Sequence, residues 1–265
     1  MIANYHTHTF RCHHATGTER EYIENAIAGG LKTLGFSDHV PFRYPDGHES
    51  GHRVFCDDIS NYRETLTALR EEYRGRIDIR IGFEMEYLPE HFPAMLKMAV
   101  DAGAEYLILG QHFVGTEYPV MRHSAEPHDR VEDLETFADL VAAAIKSGAF
   151  SYVAHPDMFR FVGDKAVYQK GMERICRASL EYDIPLEVNF LGIRDGRHYP
   201  NPAFWELVGK MGCKVIYGCD AHDAASAFDA ASLVTAEEMR ARYGLRVVDT
   251  VPLRDPAAAL AVMKA

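Results

Sequence analysis

Fourteen histidines stand in this 265-residue chain, roughly twice what ordinary composition would supply, and the informative ones come in patterns. His6-Thr7-His8 and Asp220-Ala221-His222 each hold two metal-ligand types two residues apart. On an extended backbone both side chains then leave from one side and can grip one ion. His39, Glu84, His112 and His155 lie at or just beyond the ends of short apolar runs. A lone histidine in such a place is more often a hydrogen-bonded loop residue, so it is their joint placement that points to metal. Imidazole and carboxylate suit zinc, iron and manganese, and a set without thiolates is not that of a structural zinc knot. One ion would leave most of these donors idle. Two or three divalent ions sharing a bridging carboxylate, for which Glu84 is the natural choice, employ the whole set.

The elements that would position them are short strands alternating with amphipathic helices. Apolar or β-branched runs at 2–6, 33–36, 77–83, 106–109, 151–154, 186–189 and 214–217 read as strands. Helical periodicity fills 19–28, 59–73, 91–102, 131–146, 165–182 and 202–211, with Gly29, Gly75, Gly103, Gly148 and Gly212 at the positions of helix C-caps. The alternation predicts an α/β fold with a parallel sheet. No GxGxxG or GxxxxGKS/T follows any of the runs, so an open nucleotide-binding sheet gives way to a distorted, seven-stranded (β/α)7 TIM-like barrel, one domain over 1–265. Catalytic residues of such barrels gather at the C-terminal rim. His6, His8, His39, Glu84, His112, His155, Asn189, Asp220 and His222 mark that rim.

The remaining candidates are weaker. His13 and His14 are adjacent, so at most one faces the site; His48, His52, His91, His123, His128 and His198 read as exposed residues of polar loops or helix starts. Glu86 alternates with Glu84 and could orient an imidazole, as Asp38 could beside His39. The five cysteines form no framework and read as small core residues of a reduced protein, with Cys12 and Cys219 near the site only through sequence proximity.

Composition excludes several classes. With 28 Lys plus Arg against 39 Asp plus Glu, a net charge of −11 and a pI of 5.7, the chain lacks the basic surface of a nucleic-acid binder. There is no leader-like N-terminus and no run of about 18 apolar residues. The expectation is a cytoplasmic protein with neither nucleic-acid nor membrane partners.

HTHTFRCHH at 6–14, FSDHVPF at 36–42, GFEMEY at 82–87, GQHF at 110–113, AHPD at 154–157 and GCDAH at 218–222 resemble, in order, the motif series of the PHP (polymerase and histidinol phosphatase) superfamily. Within it, the cysteine of HTHTFRCHH, the proline following SDH, YRETLTALREEYRGRIDIRIGFEMEY and VNFLGIRDG are similar to the monofunctional histidinol-phosphate phosphatases. The resemblance implies a trinuclear centre held by His6, His8, His14, His39, Glu84, His112, His155, Asp220 and His222, with Glu84 bridging two ions. It prefers His14 to His13 through the spacing HxHTxxCxH. Phe190-Leu191 departs from it, since relatives often carry small polar residues there.

The activity implied is hydrolysis of L-histidinol phosphate to L-histidinol and phosphate, a step of histidine biosynthesis, by attack of a metal-bridging hydroxide. Another small phosphomonoester, a sugar phosphate or a nucleotide, is the alternative substrate. Glu84, Asp220 and His222 would be the catalytic groups, either of the last two serving the leaving oxygen. Arg160, and after it Arg194 and Arg197, would grip the phosphate dianion. Loops 43–58 and 113–130 would cover the mouth and select the rest of the substrate. A silent metal-binding module would have lost some ligands, and an amidohydrolase would want a lysine at a strand end. Neither condition is met.

Overall fold

The computed structural model describes residues 1–264. Its centre is a parallel sheet in which each strand pairs with the next along the chain: β1 (Ala3–Asn4), β2 (Thr33–Phe36), β3 (Asp78–Met85), β4 (Tyr106–Leu109), β5 (Tyr152–Val153), β6 (Leu186–Asn189), β7 (Lys214–Gly218) and β8 (Arg246–Val247). Strands covered on both faces read as continuous apolar runs, and β4, Tyr-Leu-Ile-Leu, is buried at every position. Around them lie α1 (Glu19–Ala28), α2 (Ile59–Glu72), α3 (Phe92–Asp101), α4 (Val131–Lys146), α5 (Lys165–Tyr182), α6 (Phe190–Arg194), α7 (Pro202–Met211), α8 (Ala230–Tyr243) and α9 (Pro256–Lys264).

The sheet curls into a barrel that closes at the rim around seven strands. Beyond β1 and β7 the chain segments meet directly: the His8 N–H donates to the Ala221 carbonyl at 2.9 Å and the Ala221 N–H to the His6 carbonyl at 3.3 Å. The seven strands read from the sequence are the ones that encircle this rim. The eighth joins only at the base, where Arg246 and Val247 pair with Lys214 and Val215. Two residues carry no readable period, which is why it was not expected.

Local chemistry sets the helix ends. Thr18 and Glu21 close a capping box at α1, Asp164 caps α5, and Asn201 with Pro202 opens α7. Gly29 caps α1 as expected, in the right-handed region with its N–H on the Asn25 carbonyl, and Gly30 after it takes the left-handed turn at φ +86°. Gly212 ends α7 at φ +75° as expected. α8 was missed because its buried face is small, Ser232 and Ala236, and shows no apolar stripe.

Inside the barrel, below the rim, Tyr5, Tyr106, Ile108, Tyr152 and Ile216 form an apolar floor. Tyr106 reaches across it to donate its hydroxyl to the Tyr5 and Phe36 carbonyls at 2.8 and 3.1 Å. The polar site therefore sits on a packed plug, and nothing below it competes for water.

Outside, α7 and α8 approach through Gly209, where an added methyl carbon would lie 1.8 Å from the Tyr243 carbonyl oxygen. Overpacking of this kind costs about 1–3 kcal/mol. Gly209→Ala should lower Tm by roughly 2–12 °C in a chain of this size while leaving rim chemistry untouched; unchanged thermal unfolding would show that the helices part freely.

Candidate metal centre

The site is built around one buried carboxylate. β3 runs past its neighbours, and the Glu84 N–H donates to the Ser37 and Asp38 carbonyls, carrying Glu84 inward over the rim. Its side chain fits because the adjacent strand end has no side chain: a methyl carbon on Gly110 would lie 1.8 Å from Glu84 Oε1. Gly218 does the same for Glu187, at 1.7 Å from its Oε1. The glycines of GQHF and GCDAH are thus spaces for carboxylates.

The two Glu84 oxygens face different neighbours. Oε1 lies 2.8 Å from His155 Nε2 and 3.4 Å from His112 Nε2. Oε2 lies 3.2 Å from His39 Nδ1, 3.5 Å from His8 Nε2 and 3.6 Å from His6 Nε2. Asp220 Oδ1 is 3.4 Å from both His6 Nε2 and His8 Nε2 and 3.3 Å from His222 Nδ1. Farther round the rim, donor atoms of His14, His39 and His222 lie within 4.8 Å of one another. The nine residues singled out as ligands are therefore in one cluster. His13 is not in it; its ring packs on Phe55 at 4.3 Å.

His6 Nε2, both ring nitrogens of His8 and His155 Nδ1 are buried without a hydrogen-bond partner. Orphaned imidazole nitrogens beside carboxylates are the donor set of divalent cations, and these residues fit such ions. Electrostatics agree. Burial pushes Glu84 up, but His112, His6 and His39 outweigh it and hold the carboxyl well below its ordinary range. Burial pushes His6 and His8 down, yet Asp220 with Glu187 and Glu84 for the one, and Asp220 with Asp38 for the other, raise both well above 6.5. The cluster demands positive charge. Two residues also hold left-handed backbones without being glycine, His155 at φ +29° and Asp220 at +46°, a strain that functional sites tend to store.

A surrounding layer fixes the rings. Glu86 accepts from His112 Nδ1 at 2.7 Å. Asp38 accepts from Thr9 N and Oγ1 and lies 3.7 Å from His8 Nδ1, so it serves His8, not His39 as expected. Glu187 was missed: it sits 2.9 Å from His6 Nδ1 and accepts from the His155 N–H and Asn189 Nδ2. A lone carboxylate in the apolar β6, in step with Asn189, was its signal. Cys12 is corrected as well, since its sulfur lies within 4.8 Å of ring nitrogens of His8 and His222.

The cluster opens into a cavity of about 460 Å³. Loop 43–58 contributes His52 and Arg53 to its wall, loop 113–130 contributes Phe113, Glu117, Met121 and His123, and the turn after β6 contributes Leu191, Arg194, Arg197 and Tyr199. His52 and His123 thus depart from the reading as bland loop residues, while His48, His91, His128 and His198 do not line the cavity. Burial and the nearby His112 and His155 push His123 down to about 4. Arg160 is corrected: it is exposed and outside the lining, its backbone tied to Ser124 and His128. Arg194 lines the cavity but donates to Asp229 at 3.0 Å and to the Asp220 carbonyl at 3.3 Å. Arg197 donates to Asp195 at 2.9 Å and the Tyr199 hydroxyl at 3.0 Å.

Comparison with known proteins bears on this geometry. The model of the PHP domain family matches residues 4–190. A probable histidinol-phosphatase of Deinococcus radiodurans is 27% identical over 230 residues, covering 83% of this chain and 86% of that protein. A probable phosphatase of Aeromonas hydrophila is 28% identical over 229 residues, 84% of this chain and 79% of its own. The crystal structure of histidinol phosphate phosphatase from Lactococcus lactis, complexed with zinc, L-histidinol and phosphate, superposes with a TM-score of 0.69 at 18% identity, covering 96% of this chain and 97% of that one.

A pH dependence follows from the raised imidazoles. In metal-free protein, the stability contributed by His6 and His8 is complete below pH 6.5 and is lost as pH rises through their raised values. Metal binding needs the same rings unprotonated, so affinity rises over that range. The Tm difference between zinc-loaded and chelated protein should widen from about pH 6 to about pH 9. A constant difference would remove His6 and His8 from the ions.

Proposed function

This chain belongs to the PHP domain family, and on that premise we propose that it is a metal-dependent phosphomonoesterase releasing phosphate from L-histidinol phosphate. The observation that carries the reading is Glu84, buried with one oxygen toward His112 and His155 and the other toward His6, His8 and His39, beneath a cavity with arginines in its wall. The names of the Deinococcus and Lactococcus proteins support the substrate.

In this reading His6, His8, Glu84 and Asp220 hold one ion, Glu84, His112 and His155 a second, and His14, His39 and His222 a third. Zinc, iron or manganese ions bound there supply Lewis acidity and water that ionises near neutral pH. The protein does the rest. Glu187 and Glu86 hold the rings of His6 and His112 in their tautomers, and Asp38 places its charge 3.7 Å from His8 Nδ1. Burial and the adjacent His8 push His222 down to about 3, so at neutral pH it is an unprotonated ligand and no store of a proton for the leaving oxygen. Asp220, burial opposed by His6, His8 and His222, is held well below its ordinary range and stays ionised.

His123 is a better source of a hydrogen bond. It is neutral, and its Nδ1 accepts the Ala125 N–H at 3.0 Å, so its proton is on Nε2. Arg197, paired only with an exposed aspartate and a tyrosine hydroxyl, is the cation freest to turn to a phosphate dianion. Leu191, Met121 and Met158 supply apolar wall for the substrate's ring, whereas Phe190 turns into the core against Tyr217. The reading carries a soluble enzyme of the cytosol, supported by five free cysteines and by the absence, among the described residues, of a helix long and apolar enough to cross a membrane.

Three outcomes are expected. Glu84→Gln should stay folded by circular dichroism yet lose kcat by orders of magnitude. Arg197→Ala should lower kcat/KM about ten- to hundredfold, the 1.5–3 kcal/mol of a charged hydrogen bond, with metal content unchanged, while Arg160→Ala changes neither. Against a panel of sugar phosphates and nucleotides, L-histidinol phosphate should be cleaved with the highest kcat/KM. Equal turnover across the panel would hand the site to another small phosphomonoester.

A further inference from the structure

Arg53 is 2% exposed and carries the only full positive charge in a knot of buried acids. Its Nη2 donates to Glu86 Oε2 at 2.6 Å and to Glu117 Oε2 at 2.8 Å, and its Nε donates to the same Glu117 oxygen at 3.0 Å. The Tyr44 hydroxyl donates to that oxygen as well, at 3.0 Å. On the other side Arg53 Nη1 donates to the Val40 carbonyl at 3.3 Å, and the neighbouring Val54 N–H donates to the His39 carbonyl at 3.3 Å. Four pieces of chain thus meet at one guanidinium: loop 43–58, loop 113–130 through Glu117, the end of β3 through Glu86, and the segment carrying His39.

Two of these pieces form the cavity mouth and two hold rings of the cluster. Glu86 has its other oxygen on His112 Nδ1 at 2.7 Å, which turns His112 Nε2 toward Glu84. We propose that Arg53 is a positioning residue that ties the two mouth loops to His112 and His39, so that closure of the mouth and retention of metal are one event. The inference rests on the metal reading above and adds what neither the motifs nor the ligand set contains.

The physical basis is the fork. The guanidinium spreads its donors over three nitrogens, so Nη2 and Nε hold Glu86 and Glu117 while Nη1 reaches the Val40 carbonyl on the other side, whereas a lysine ammonium gathers its donors at one nitrogen. Without the cation, Glu86 and Glu117 face each other buried and uncompensated and must part, since burying one such charge unpaired is strongly unfavourable. Glu86 then leaves His112, and Glu117 carries loop 113–130 away from the mouth. By linkage, whatever closes the loops tightens the metal, and the metal favours closed loops by the same factor.

The test reads metal release directly. Zinc-loaded protein is mixed with excess of a colorimetric chelator, and release is followed by stopped flow, alongside KM and kcat for L-histidinol phosphate. Arg53→Met should release at least one ion about 10–100-fold faster than the unmodified protein, the effect of removing an outer partner of a metal ligand, and raise KM. Arg53→Lys keeps the charge and the fold but not the fork, and should fall between. Glu117→Gln should raise KM and release metal faster than the unmodified protein but more slowly than Arg53→Met, because it loosens one mouth loop and leaves Glu86 paired with Arg53. Arg43→Met, which breaks an exposed ion pair with Glu49 in the same loop, should leave release unchanged.

Normal release from both Arg53 variants overturns the proposal. So does unchanged release from Glu117→Gln, which would uncouple the loop from the metal, or release as fast as from Arg53→Met, which would route the whole effect through the loop and none through Glu86. Unmodified protein that takes up no zinc would remove the metal reading and this coupling with it, whereas slow release from protein inactive on L-histidinol phosphate would leave the coupling standing and remove only the substrate.

Discussion

A carboxylate with almost no contact with water stands at the axis of this barrel, and much of the rest is arranged to make that tolerable. Glu84 is 1% exposed, Glu187 and Asp38 are fully buried, and Asp220 and Glu86 are close behind. Burying so much like charge is prohibitive unless each group is paired or faces a cation. The barrel meets the demand in layers. Imidazoles contact the inner carboxylates, outer carboxylates contact the imidazoles, and Arg53 neutralises the outermost pair. Two glycines clear the volume, and the tyrosine floor keeps water from entering below.

This layering explains why the residues separate into two kinds by their freedom. Those with a nitrogen or oxygen left unsatisfied, above all His6 and His8, converge on a common space. Those with every atom committed, such as Asn189, which donates to both Glu187 and Asp220 while accepting the Gly192 N–H, set angles and distances. The same division separates the arginines. Arg53 and Arg194 are held by carboxylates that the architecture needs, and Arg197 leans on partners it can leave.

Most of the centre was legible because barrel geometry turns a one-dimensional rule into a three-dimensional one: a ligand type at each strand end becomes a ring of ligands. That rule found His39, Glu84, His112 and His155 without knowledge of their neighbours, and the resemblance to a family chose His14 over His13. It failed where position depends on loops. Arg160 follows His155 by five residues, yet the chain turns so that its backbone pairs with Ser124 and His128 and its side chain leaves the cavity. Arg53 lies in a segment whose path no periodicity describes, and its partners are 33 and 64 residues away. Glu187 was hidden differently, inside a strand whose apolar neighbours draw attention to packing. β8 and α8 escaped because two residues and a face of small side chains carry too little pattern.

The rim closes where the segment after β1 meets the segment after β7, and that seam has a consequence for how the protein comes into being. Asp220 and His222 are synthesised more than two hundred positions after His6 and His8. A nascent chain that has not yet made them lacks the carboxylate that faces both His6 and His8. Ions held by both ends would close a long loop, as a clasp does, and would favour the folded chain by mass action.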